Sequence, residues 1–538
     1  MVAPSIHRLG DAGLLAFTGH TLTSENNDRA HSLAARLKEG AHRGVLDVVP
    51  AYTSVLVIFD PRVLAEEDLR VLVRSASAGS TSFARPTVRA HTIPVCYGGH
   101  DGPDLAAVAV AHGLSQRDVI AQHSAPTYRV YFVGFMPGWA YMGTVPDAIA
   151  TPRLSSPRVR VPVGSVGIAD AKTGVYPLST PGGWNLVGRT AQVLWDPGSA
   201  NPALLAAGDS VRFRSSRSQP ETVPLVIGVA NPQTPAFEVL EAKGMTTVQD
   251  LGRPGYGSVG LACGGVMDRE AAVRANRVLG NQDGAAVLEL TFTGPELLAL
   301  RTVCISLAGA DMGCEVDGVR VPTGLTWLVR QGSRVRFQGA PGTQRGFRAW
   351  LAVLGGFEVP EVLGSRSTYL AAAFGGYAGR PLRAGDALGI GEVPVPAAQA
   401  AGRLSPQSGQ LSGAEPVTLR FVRYTGPYGA TATSVEVFKS HAWRASDQAN
   451  RTGTRLTTEG VSPLRGAARE VLSFGVVRGT IQLPPSGEPI VLNADHQTTG
   501  GYPVIGVVAE ADWPALAQVA PGTAVRFVEV TIDEARSG

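Results

Sequence analysis

The sequence predicts a mainly β protein in which repeated β modules follow a small α+β unit. Three observations predict it. Glycine and proline, 65 and 38 of 538 residues, punctuate short apolar runs over most of the chain beyond residue 91, as barrels and sandwiches require. Helical periodicity is confined to a few stretches, the clearest of them near the start. One strand pattern recurs: GDSVRF at 208–213, GSRVRF at 332–337 and GTAVRF at 522–527 each place a turn glycine before alternating residues.

The length allows about three or four domains. An α+β unit is expected over 1–85. LLAFTG and SVLVIF read as strands, and SENNDRAHSLAARLKEG between them sets Ala30, Leu33, Ala34 and Leu37 on one helical face, with Gly40 as a stop. PRVLAEEDLRVLVRSASAG supplies a second helix. A first β module is expected over 86–217, opened by the helical stretch GPDLAAVAVAHGLSQRDVIAQHS, where Ser115 caps a helix entering at Gln116. Then come a linker over 218–236, a second β module over 237–392, a mobile Ala/Pro/Gly/Ser-rich linker over 393–416 and a third β module over 417–538. The first and third modules share more than the hexamer. TPGGWNLVG at 180–188 parallels TTGGYPVIG at 498–506, with an aromatic after the glycine pair and a later glycine in register. This paired match implies duplication, and the recurring strand implies at least three related modules.

Composition narrows the function. Hydrophobic residues make up 44% of the chain and charged residues 17%, ample for packed cores. The net charge is only +3, four of the 47 basic residues are lysines, and no basic run is interleaved with aromatics; nucleic-acid binding is not expected. Four sparse cysteines without Cys-x-x-Cys spacing suggest buried thiols in a reducing compartment. The start, MVAPSIHRLGDAGLLAF, lacks the pattern of a signal peptide, and no run approaches the roughly 18 apolar residues of a membrane span. A cytoplasmic protein is expected. There is no Walker A loop, no His-Glu-x-x-His, no Gly-x-Ser-x-Gly elbow and no Gly-Gly-Ser-Ser run.

What remains are glycine-rich polar clusters. RVYFVGFMPGWAYMG at 129–143 breaks an alternating strand among three aromatics after Gly134. Arg153, Arg158 and Arg160 stand beside Gly164, Ser165 and Gly167; Asp250, Arg253 and Asp268 share a second cluster; Asp495, His496, Thr498 and Thr499 share a third. Glycine lets backbone N–H groups approach an anion, arginine pairs with carboxylate or phosphate, and aspartate binds Mg²⁺ or accepts a proton. Barrels also need glycine at corners, so each cluster is either a site or a turn.

These residues carry a family resemblance. Through about residue 217 the chain resembles the B subunit of prokaryotic 5-oxoprolinase (KipI, or allophanate hydrolase subunit 1), in PVCYGG, GPDL, YRVYFVGFMPGWAYMG, PR(x)₃PR(x)₂VP(x)GSVGIA, TGVYP and TPGGWNLVGRT. From about residue 237 it resembles the C subunit (KipA, or allophanate hydrolase subunit 2), in TTVQDLGRPGYGSVG, GGVMD, RANRVLGN, AGAD, AVLGGFEVPEVLGSRSTY, GGYAGRPL and DHQTTGGYP. The chain reads as a B–C fusion. The resemblance implies a cyclophilin-like β-barrel for each module and ATP-dependent opening of 5-oxo-L-proline to L-glutamate. It implies ATP with Mg²⁺ as cofactor and a separate LamB/YcsF-type A subunit as partner; a homo-oligomer is expected.

Both halves also resemble the carboxyltransferase region of urea carboxylase. None of the four lysines is flanked by methionine, so any biotin would sit on another chain. A regulatory alternative is binding to a sensor histidine kinase, as KipI and KipA relatives do. Resemblance and residue chemistry together select Asp250, Asp268, Asp495, Thr498 and Thr499 as catalytic candidates. Arg153, Arg158, Gly164, Ser165, Gly167, Gly182, Gly183, Trp184, Arg253, Asp311, Gly500, Gly501 and Tyr502 are selected for binding substrate or ATP; no metal ligand is assigned. The resemblance leads us to expect Arg at His496 and Gln at Lys172, two departures within candidate sites.

Overall fold

The computed structural model describes residues 3–78, 88–217, 232, 234–339, 346–405, 416–460, 462, 464 and 471–537. In the N-terminal unit four antiparallel strands run in the order Ser5–Leu9, Gly13–Phe17, Ser54–Phe59, Val45–Pro50. The helix Ser24–Glu39 starts where Thr23 accepts from the Asn26 N–H and stops at Gly40, burying the expected Ala30, Leu33, Ala34 and Leu37. A second helix, Glu66–Ala78, lies beside it. Strand alternation gives the sheet two apolar faces. Leu14, Ala16, Val55 and Val57 pack under the helices. Leu9, Leu15, Phe17 and Leu56 pack instead on Tyr424, Phe474, Val476 and Val507, which come far later in the chain.

Two seven-stranded barrels close, and closure leaves them without open edges. Around the first, the strands run Ala90–Tyr97, Asn185–Arg189, Ser165–Ala169, Lys172–Val175, Ala140–Gly143, Tyr128–Val133 and Ser210–Ser215. Around the last they run Val417–Arg423, Val504–Val508, Thr480–Gln482, Ile490–Leu492, Gly453–Thr457, Trp443–Ala445 and Ala524–Glu529. Position for position this is one topology. In each, the xVRF strand pairs parallel with the barrel strand that comes first in the sequence and antiparallel with the one that comes second. In each, the register slips at the same place, beside Gly188 in one and Gly506 in the other. Each barrel also carries a two-stranded ribbon, Arg158–Val161 with Thr180–Gly182 and Phe474–Gly475 with Thr499–Gly500.

The middle module differs. It forms a seven-stranded and a five-stranded sheet around one core rather than a closed barrel. Its GSRVRF strand, Arg334–Phe337, pairs antiparallel with both neighbours, Glu296–Ala299 and Cys314–Val316. The expectation of three related barrels is corrected to a duplicated pair and an unlike module between them. The hexamer records only a turn glycine and alternating burial, which many half-buried strands share.

Part of the segment expected as a mobile linker is docked: Thr326 Oγ1 donates to the Ala400 carbonyl at 2.7 Å, and Ala400 is buried among Ala275, Cys304 and Trp350. Residues 406–415, and most of the linker expected over 218–236, lie outside the described residues. The cysteines are free; Cys304 and Cys314 are buried, but Cys263 is exposed beside the left-handed Gly264 and Gly265, against the expectation of buried thiols. Among the described residues no helix is long and apolar enough to cross a membrane.

Candidate active site between the duplicated hairpins

The two ribbons face each other across a half-open cavity of about 210 Å³. The first barrel contributes Phe135, Trp139, Tyr141, Arg153, Tyr176, Gly182, Gly183 and Trp184; the last contributes Ser473, Gln497, Thr499, Gly500, Gly501 and Tyr502. The recurring Gly-Gly-aromatic stretches thus form opposite walls of one site.

Local geometry explains the glycines. Neither Gly182 nor Gly500 has a positive φ, so neither is required by backbone conformation. Both are required by close approach. A Cβ on Gly182 would lie 2.4 Å from the Tyr176 hydroxyl, and one on Gly500 would lie 2.2 Å from Gln482 Nε2. The second glycine of each pair accepts from a backbone N–H of the same barrel, Gly183 from Leu154 at 2.8 Å and Gly501 from Val471 at 3.0 Å.

One bond joins the walls directly. Thr499 Oγ1 accepts from the Phe135 N–H at 3.1 Å. Phe135 holds a left-handed φ of 69°, and Gly134 before it has no room for a Cβ, which would sit 2.4 Å from Thr499 Oγ1. Trp139 meets Trp184 edge-on at 5.0 Å and Tyr176 at 4.5 Å, giving a rigid aromatic wall. Burial pushes the Tyr176 phenol up to about 12, against the Trp184 backbone hydrogen bond and the charges of Arg153 and Arg158; it is a hydroxyl donor at neutral pH. Gln497 Nε2 donates to Gln482 Oε1 at 2.9 Å. His496, where arginine was expected, is buried beside it; desolvation pulls its imidazole down to about 4, so it is neutral.

The structure therefore brings together Arg153, Gly182, Gly183, Trp184, Thr499, Gly500, Gly501 and Tyr502. The other candidates lie off the wall, most with visible partners. Arg158 donates to Asp104 at 2.6 Å. Gly164 turns the chain at φ 80°, Ser165 is buried in its strand, and Gly167 makes room for Trp184. Asp250 accepts from the Ser365 and Ser367 hydroxyls and from the Gly252 and Arg366 N–H groups, four donors that hold it in the loop. Arg253 is buried, donates to the Val362 and Ser367 carbonyls and lies over the Phe374 ring. Asp268 caps the helix Arg269–Leu279. Asp311 pairs with Arg320 at the surface. Asp495 accepts from the Nε and Nη2 edge of buried Arg451, whose Nη1 donates to Glu289. Thr498 is buried, its hydroxyl without a partner among the described residues. Lys172 lies over the Tyr52 ring, away from the cavity wall.

The sequence reading did not select Phe135, Trp139, Tyr141, Tyr176 or Gln497. The aromatic run at 129–143 and the DHQTTGGYP stretch held the signal for four of them. Among the described residues no three His, Cys, Asp or Glu side chains gather as a metal site.

Comparison with known proteins places both parts of the chain. Residues 4–205 match the family described as carboxyltransferase domain, subdomain C and D, and residues 259–529 match carboxyltransferase domain, subdomain A and B. The first part is 40% identical over 218 residues to the 5-oxoprolinase B subunit of Bacillus subtilis, covering 39% of this chain and 91% of that protein. The second is 36% identical over 301 residues to the 5-oxoprolinase C subunit of Escherichia coli K12, covering 56% of this chain and 93% of that protein. Urea amidolyase of Lachancea kluyveri is 31% identical, but the match covers only 17% of its length. Among solved structures, that of TTHA0988 superposes with a TM-score of 0.84 at 37% identity, covering 96% of this chain and 99% of the other.

Proposed function

This chain belongs to the carboxyltransferase-domain family, with a part like the 5-oxoprolinase B subunit followed by a part like the C subunit, and from that standing we propose that it is the B–C component of an ATP-dependent 5-oxoprolinase, acting with a separate LamB/YcsF-type A subunit. The observation that carries the reading is the meeting of both duplicated hairpins at one small cavity with Arg153 and aromatic rings in its wall. At about 210 Å³ it falls below the about 300–1,000 Å³ of sites for drug-sized ligands. A nine-heavy-atom lactam acid suits it. ATP, where bound, would phosphorylate the lactam oxygen and so make a poor electrophile reactive.

At the cavity the chain's own residues bind and orient. Arg153 takes the substrate carboxylate. Trp139 and Trp184 cover the ring and keep out water, and the Tyr176 hydroxyl offers a donor to a carbonyl oxygen. Thr499 keeps the two walls at their working separation. Among the candidates this leaves Asp250, Asp268 and Asp311 as structural residues.

The test is glutamate release from 5-oxoproline, with and without ATP and with and without the A subunit. Glutamate is expected only from the complete mixture, and Arg153→Ala should raise KM at least about tenfold, as loss of a charged hydrogen bond does. A complete mixture that releases none refutes the reading. The description of both matched domains favours carboxyl transfer as a second reading; transfer of a labelled carboxyl group to an amide from carboxybiotin held on another chain, with biotin returned, would support it.

A further inference from the structure

Among the described residues the cavity wall holds one carboxamide, and it is pinned from behind. Gln497 donates from Nε2 to Oε1 of Gln482, which is 1% exposed at the end of the strand Thr480–Gln482. Its backbone is held as well, because His496 Nδ1–H donates to the Gln497 carbonyl at 2.6 Å. A carboxamide nitrogen carries two hydrogens, and its oxygen accepts twice. After the bond to Gln482, one N–H and the side-chain oxygen remain, and among the described residues nothing pairs with either.

The duplication supplies an internal control. Strand register equates Gln482 with Gly167, since Gln482 faces Val504 as Gly167 faces Leu186. Counting back from the paired glycines equates Gln497 with Ser179. The first barrel thus builds the same ribbon with neither glutamine, and Ser179 there simply accepts from Arg160. The fold does not need the glutamine pair; one copy carries it, at the cavity, and the other does not.

We infer that Gln497 is a specificity-determining residue that reads the adjacent donor and acceptor of a cis amide. A small lactam ring holds its C=O and N–H on the same side, so its edge pairs head to tail with the edge of a carboxamide. An open-chain secondary amide is trans and presents the two groups on opposite sides. A lactone has no N–H to give, and an N-alkyl lactam has lost it. Gln482 is a positioning residue that holds the Gln497 carboxamide against the wall by one hydrogen bond. The inference rests on the proposal that this cavity binds the substrate ring.

The test is calorimetric titration of the full-length chain with 5-oxo-L-proline, its N-methyl derivative and the five-membered lactone carrying the same carboxylate. The native protein is expected to bind the lactam at least about tenfold tighter than either analogue, because the site would leave polar groups unpaired against them. Gln497→Met should bind all three about equally and weakly, and Gln482→Met should narrow the preference without abolishing it. If the native chain binds the lactam without discriminating, or if Gln497→Met keeps a tenfold preference, the inference falls and the substrate reading stands. If the native chain binds none of the three, both fall. Should Gln497→Met fail to fold by thermal melting, the analogue series on the native protein decides alone.

Discussion

Residue by residue, the site is made by what is missing. Gly182 and Gly500 occupy equivalent places, yet the groups that press on them differ in stiffness. The Tyr176 ring cannot turn aside from a methyl group, so Gly182→Ala should cost about 1–3 kcal/mol in urea unfolding, as overpacking does. The Gln482 amide can swing, so Gly500→Ala should cost less stability but weaken substrate binding by displacing the partner of Gln497. An alanine at 500 that leaves lactam affinity intact would break the link. Thr499→Val keeps the shape and removes the acceptor of the Phe135 N–H; we expect about 1 kcal/mol of destabilisation.

At the scale of elements, much was legible. Helix faces and caps such as Thr23 and Ser115 are local, and local pattern determines them. The paired hairpins were legible too, because a glycine pair before an aromatic is rare enough to be matched between opposite ends of the chain. Partnership at a distance was not. Asp250 looked reactive beside Arg253, but the serines that hold it lie 115 and 117 residues away. Asp495 read as a catalytic candidate, but Arg451, 44 residues before it, closes on its carboxylate. The structure sorts these carboxylates by consequence. Arg451→Met strands Asp495 and Glu289 without their counter-ion, both nearly fully buried, and should cost about 3–5 kcal/mol in chemical denaturation. Asp311→Ala breaks a surface pair with Arg320 and a hydrogen bond from the Gly313 N–H, and should cost about 1 kcal/mol, with kcat/KM unchanged.

For the molecule as a whole, burial sets a pH response and packing sets an order of assembly. His123 is fully buried in the first barrel, between the Tyr97 hydroxyl and Thr173 Oγ1, and desolvation pulls it down to about 3. The unfolded chain takes this proton below about 6.5 and the folded chain does not. The stability that neutral His123 supports is therefore complete above about pH 6.5 and declines as pH falls towards 3. At pH 5 the loss from this residue is about 2 kcal/mol, seen as a falling urea midpoint that should flatten in His123→Gln. The N-terminal sheet, meanwhile, turns Leu9, Leu15, Phe17 and Leu56 onto the last barrel, and the first barrel meets the same barrel at the cavity. Residues 3–217 and 234–537 made as separate polypeptides should therefore co-purify. Joining them in one chain changes the statistics of that encounter. Two free polypeptides find each other at a rate set by dilution, whereas tethered halves experience a local concentration near the millimolar range however few molecules are present. The covalent bridge makes the two-walled cavity a first-order property of a single molecule, so lactam binding per chain should hold constant down to dilutions at which a split pair would have drifted apart.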